Sequence, residues 1–212
     1  MGFMKAEAQT MPTRACIGYV DEVGVAKETE SGVYANCRVT IKALEAGRGT
    51  ITNLLFRPEW FVPGFNPKTI EEVTVDGASQ EEVEKLRKGM AFMYRRLFGT
   101  KDTPGQLEVM VGGAEALDEL SERFEAVGGE PSIETVGEII KNFVIEKAAT
   151  VGYILKQARE KTDEVDEAGK QVYVLRENYE LIEWFLPNEA NKKRMRNRAS
   201  KANGDFLLTF EV

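Results

Sequence analysis

Apolar and polar residues alternate with a period of two through VYANCRVTIK, with Val33, Ala35, Cys37, Val39 and Ile41 on one face and Tyr34, Asn36, Arg38, Thr40 and Lys42 on the other. That is the pattern of a half-buried strand. Its wet face carries two cations, an aromatic ring and no carboxylate. Residues 14–25, RACIGYVDEVGV, mix β-branched residues and glycines as a bent first strand does, and TITNLLFR at 50–57 reads as a third strand ending at PEWFVPGFNP. At Ser79 the period becomes helical. Ser79 is a candidate N-cap, acids fill the first turn, Val83, Leu86 and Met90 share a face, and Gly99 is a stop. Ala114 to Val127 predicts a second helix and Ser132 to Ile140 a short third. Strand patterns return in NFVIEKAATVGYILKQARE (142–160) and, after the polar connection KTDEVDEAGK, in QVYVLRENYELIEWFLP. Asn188 can cap a helix over about 189–202 that Gly204 ends. In DFLLTFEV, Phe206, Leu208, Phe210 and Val212 then alternate against Leu207, Thr209 and Glu211.

Three strands, a helical block and two strands is the element order of the OB-fold, a five-stranded Greek-key barrel. The expected fold is therefore mainly β with an α insertion. One domain spans 1–212, with an enlarged helical block at about 77–141 between strands three and four, and a C-terminal basic helix and strand at about 188–212. Two α+β domains split near residue 76 is the alternative, since the block is longer than one helix needs.

Composition narrows the chemistry. The chain has 212 residues, no histidine, two cysteines and a formal net charge of -7. Zinc sites usually need three or four thiolate or imidazole ligands, so Cys16 and Cys37 are expected to be buried free thiols, with no metal or cofactor. The commonest proton shuttle near neutral pH is absent. Nor is there a GxxxxGK[ST], a strand-linked GxGxxG, a GxSxG or an HExxH motif. Gly112-Gly113 and Gly128-Gly129 read as helix boundaries, and Glu81-Glu82 as solvated helix surface. These features argue against an enzyme; a nuclease would need clustered carboxylates to hold Mg²⁺. There is no apolar run of about 18 residues, and MGFMKAEAQTMPT lacks the pattern of a secretory signal, so no membrane association and a cytoplasmic location are expected. Positive charge is concentrated: KKRMRNRASK, 192–201, has six Lys or Arg and no acid.

Residues 117–187 also resemble a group of phage-encoded single-stranded DNA-binding proteins with this barrel. LSERFEAVGGEPSIETVGEIIKNFVIEKAATVGYILKQ is similar to their short helix, glycine turn, second short helix and strand, and GKQVYVLRENYELIEWFLP to their closing hairpin strand. The resemblance implies protection of single strands during phage DNA replication or recombination, in the host cytoplasm, with replication or recombination proteins as partners. Many such proteins end in an acidic tail that recruits those partners; here an apolar alternating segment takes that place.

A sequence-tolerant single-strand binder needs a positive groove interleaved with aromatic platforms. The candidates are Tyr34, Arg38 and Lys42 on strand two and Arg57 and Trp60 at the end of strand three. Tyr153 and Lys156 on strand four follow, then Tyr173 and Arg176 on strand five with Tyr179 beside them. Arg194, Arg196 and Arg198 on the basic helix would extend the groove. Trp184 fits a barrel plug as well as a platform. The ligand expected is single-stranded DNA, with RNA as the variant, and the terminal strand could pair across a homo-oligomer. The rival reading is a structural or assembly protein, a virion component or adaptor, using the basic helix and terminal strand.

Overall fold

The structure, a computed structural model, describes residues 13–45, 47–166, 169–202 and 204–210. The chain runs β1 (Thr13–Val23), β2 (Lys27–Glu28), β3 (Ala35–Ala43) and β4 (Thr50–Phe56), then 3-10 turns at Pro58–Phe61 and Pro67–Glu72. The helical block follows: α1 (Gln80–Phe98), the short pair β5 (Gly99–Thr100) and β6 (Thr103–Pro104), α2 (Gln106–Val111), α3 (Ala114–Glu125) and α4 (Ile133–Lys147). The chain continues through β7 (Thr150–Val165), β8 (Gln171–Phe185), α5 (Glu189–Lys201) and β9 (Phe206–Leu208). Helix occupies about 39% and strand about 35%, so the class is mixed α/β rather than mainly β.

The helices start and stop where side chains satisfy their ends. Ser79 and Glu82 close a capping box on α1, Ser79 N–H donating to Glu82 Oε2 at 2.8 Å, and Gly99 ends the helix at φ 86°. Ser132 caps α4 through the Thr135 amide, and Asn188 caps α5 through the Asn191 amide. The strand expected from residue 142 is instead the end of α4. Val136, Ile140, Phe143 and Val144 recur at helical spacing on its buried face, and Ala148, at φ 44°, terminates it. There α4 lies so close to the chain before β2 that a Cβ on Gly137 would collide with Ala26.

The five long strands form one sheet in the order β4-β3-β1-β7-β8, all pairs antiparallel. The expected closed barrel is not formed, because no ladder joins β4 to β8. A side chain occupies that gap instead: Arg48, in the β3–β4 turn, donates from Nη1 to the Glu177 carbonyl at 3.5 Å and stacks on Tyr179. Beyond the sheet, β7 and β8 continue as a two-stranded ribbon in which Arg159 pairs with Leu175 and Lys161 with Tyr173.

Both faces of the β1–β7 region are covered. On the inner face one core joins Cys16, Cys37, Leu54 and Tyr153 to Met90, Leu120 and Val136 of the helices. On the outer face Ala15, Ile17, Ile154 and Phe185 pack against Met195 of α5 and against Phe206 and Phe210. Val151 to Leu155 are consequently all buried, an unbroken apolar run. The terminal segment is an added strand of the sheet: β9 runs parallel to β1, Thr13 opposite Phe206 and Ala15 opposite Leu208, on the length of β1 that β3 leaves unpaired. Glu211 and Val212 lie outside the described residues. No helix among the described residues is long and apolar enough to cross a membrane.

Phe206→Ala should lower stability by about 3 kcal/mol, the cost of truncating a buried Phe, and the melting temperature by roughly 6–12 °C. Thermal melting checks the first effect. Sedimentation should show an unchanged mass, because the strand pairs within its own chain.

Burial, with a smaller contribution from Glu138, pushes the Cys37 thiol from 9.0 up to about 11, and burial raises Cys16 as well. The unfolded chain loses these protons near pH 9 while the fold retains them. Stability is therefore full below about pH 9 and falls as pH rises toward about 11. Cys37→Ala should flatten that alkaline slope by up to about 1.4 kcal/mol per pH unit, measured by urea unfolding across the window.

Candidate nucleic-acid interface

The period of two in β3 is realised as read: Ala35, Cys37, Val39 and Ile41 are buried, while Arg38 and Lys42 are exposed. Register builds the wet face from three strands. Lys42 lies opposite Tyr19 and Thr40 opposite Glu22 on β1, and Arg38 lies opposite Asn53 on β4. Because β1 contributes acids, this face is less positive than β3 alone implies. Lys42 Nζ sits 2.9 Å from Asp21, whose hydrogen bond and charge raise its pKa. Among the described residues Arg38 has no ion-pair partner, and it borders a shallow hollow with Glu22, Gly24 and Thr40.

Several expected platforms prove to be structural. A stacking platform needs an exposed ring face, and Trp60 is 3% exposed and Tyr153 fully buried. Trp60 packs edge-on against Tyr94 at 5.5 Å and Tyr34 at 6.2 Å, because the 3-10 turn after β4 folds it inward over the helical block. Tyr34 is thereby half-buried, and burial raises its pKa. Arg57 ties the end of β4 to the start of β3: it pairs with Glu59 and donates from Nη1 to the Val33 carbonyl at 3.2 Å. Trp184, 7% exposed, belongs to the inner core as a plug.

The remaining candidates are scattered. Lys156 is half-buried between Thr13 and Glu180. On the ribbon Tyr173 is exposed under the Arg159 guanidinium at 4.3 Å, and Arg176 grips Glu160 through two contacts of 2.8 and 3.1 Å. On α5, Arg194 and Arg198 both hold Glu183 of β8, at 3.1 and 2.9 Å, and Arg196 is half-buried with its Nε unpartnered. The helix turns its Met195 row onto the sheet, so the outward row is Lys193, Asn197 and Lys201. Among the described residues, those two lysines form no ion pair.

Sequence reasoning missed the arrangement at the open seam. Two guanidiniums lie over the half-buried Tyr179 ring of β8, Arg14 of β1 at 5.2 Å and Arg48 at 5.1 Å from its centroid. Neither arginine meets a carboxylate among the described residues, and the buried Arg14 Nε has no acceptor. Tyr153 does contribute here, since its hydroxyl donates to the Arg48 carbonyl at 2.7 Å and fixes the turn that presents Arg48. A groove follows, with Thr40, Lys42, Thr50 and Ile51 on one side and Asn178 and Tyr179 on the other. Two cations without carboxylate partners that meet at one polarizable ring can receive an anion next to a planar group. The available signal was Arg48 itself, held between two glycines in EAGRG.

Comparison with protein-family models, curated proteins and solved structures returns no match to this chain. The chemistry of the seam rests on its own geometry.

Trp60→Ala should act on the fold, destabilising by about 3–5 kcal/mol. Were single strands to bind at the seam, their affinity, measured below the lowered melting temperature, should stay within about twofold of the parent, the precision at which one platform worth about 1–3 kcal/mol would still be obvious.

Proposed function

We propose that the protein binds single-stranded nucleic acid with little sequence preference, along the outer face of β3 and β4 and into the seam beside β8. The observation that carries the reading is Tyr179 flanked by Arg14 and Arg48. Tyr179 is half-buried and holds both guanidiniums over its ring, so a base can stack on a guanidinium plane or on the open part of the ring while adjacent phosphates meet the guanidinium N–H groups, and Arg38 continues the positive path along β3. The strand order, with the helical block between β4 and β7, supports a partly open OB-type barrel. In that fold strands two and three and the loop between strands four and five form the oligonucleotide face. These correspond to β3, β4 and the β7–β8 ribbon. Single-stranded DNA replication or recombination, in a phage-infected cytoplasm, is the setting that the resemblance over 117–187 suggests.

The assembly-protein alternative would draw on the basic helix and on β9, which lies parallel to β1 of the same chain.

Both tryptophans are buried, so anisotropy of labelled oligonucleotides is the suitable readout rather than tryptophan quenching. Single-stranded DNA and RNA and duplex DNA should be titrated at two salt concentrations. Tyr179→Ala should weaken single-strand binding by about 1–3 kcal/mol. Arg48→Ala should weaken it and flatten the slope of log affinity against log salt by about 0.7. Duplex binding as tight as single-strand binding, or no effect from either substitution in a folded protein, would overturn the reading.

A further inference from the structure

Within the helical block, a cleft of about 240 Å³ with aromatic walls and a polar rim opens between the loop after β4 and helix α3. Its walls are aromatic: Trp60, Phe61, Phe65, Tyr94, Phe98 and Phe124. The rings brace one another, Phe61 against Phe124 at 4.6 Å and against Phe98 at 5.3 Å, and Tyr94 against Phe98 at 4.7 Å. Such a cleft cannot close by a rotamer change of one residue without breaking several ring contacts. An apolar cavity of about 150 Å³ already admits benzene, so this one has room for a bulky apolar side chain.

The mouth indicates the rest of the occupant. Pro63, Gly64, Ser121 and Glu125 rim it and are exposed. Asp118, Glu122 and Glu125 follow one another along α3 on the row beside the mouth, and none forms an ion pair among the described residues. The cations nearest α3 are paired with other acids, Arg123 with Glu146 and Lys147 with Glu119. Residues 57–149 hold 18 acids and 11 bases, so this block accounts for the whole net charge of -7. A polyanion is repelled from this face, whereas a cationic segment is attracted.

We propose that this cleft docks a short basic segment of a second protein, which inserts one large apolar side chain between α3 and the 62–65 loop and sets its Lys or Arg neighbours against the α3 carboxylates. The interaction uses none of the residues of the seam at Tyr179.

The test is an NMR titration of the ¹⁵N-labelled full chain with the peptide acetyl-Lys-Lys-Phe-Leu-Lys-Lys-amide. Saturable shifts should be confined to 60–65, 94–98 and 117–125. Ser121→Trp, which obstructs the mouth from an exposed position, and Glu125→Lys, which reverses a rim charge, should each weaken binding at least about tenfold, a change well above titration error. The spectra of the free variants confirm that both remain folded. The proposal fails if no cleft resonance moves at millimolar peptide. It fails equally if a peptide with Ser-Ser in place of Phe-Leu binds as well, since the contact would then be charge alone. Free indole binding as tightly as the peptide would overturn it in favour of a small-molecule pocket.

Discussion

Burial of both faces of the β1–β7 pair is the constraint from which the rest of the architecture follows. A sheet covered on one side can alternate apolar and polar residues; one covered on both sides must be apolar throughout, as Val151 to Leu155 are. That requirement brings two cover layers. The helical block fills one, and α5 with the terminal segment fills the other, contributing Met195, Phe206 and Phe210. Each of these side chains is nearly inaccessible to water, a burial worth about 1.5–3 kcal/mol apiece. Where the outer cover stops, β3 and β4 are left with one dry and one wet face. Among the described residues, the wet face of β3 and β4 therefore begins where that outer cover stops.

The same geometry decides which cations are available. A surface ion pair adds little stability, yet it removes a positive charge from the local field that a ligand meets. Lys42 faces Asp21, Arg176 faces Glu160, and Arg194 and Arg198 share Glu183. Charge counted along the sequence thus overstates the positive field of α5. At physiological salt, fields decay over about 8 Å, so proximity outweighs totals. Arg14 and Arg48, which do not stand out in composition, are the pair that converges on one ring.

Much of the fold was legible because local signals and tertiary context agreed. The caps at Ser79 and Asn188, the helix start at Ser132 and the two-residue period of β3 all mark the elements observed. The strand read into Asn142–Lys147 failed where they disagreed. Phe143, Val144 and Ile145 have strand propensity, but a helical period continuous with Val136 and Ile140 lets the segment bury its apolar row on the core. The short α2 carried no periodic signal long enough to read. The site was less legible than the fold for a different reason. Whether an aromatic ring stacks on a ligand or fills a core depends on which way its turn folds, and the 3-10 turn that buries Trp60 leaves no mark in a count of aromatic residues.

Tyr153 shows how a misassigned residue still bears on the site. Its ring fills the core and its hydroxyl reaches the carbonyl of Arg48, so the turn is tied to β7 through the middle of the fold. A guanidinium on an untethered turn would lose conformational freedom on meeting a phosphate, and that ordering would subtract from affinity. Here the backbone of Arg48 is already fixed, and its side chain already rests on Tyr179 and the Glu177 carbonyl. The core thus preorganises the seam. The Arg48 side chain also links the β3–β4 turn to β8 across the unpaired seam.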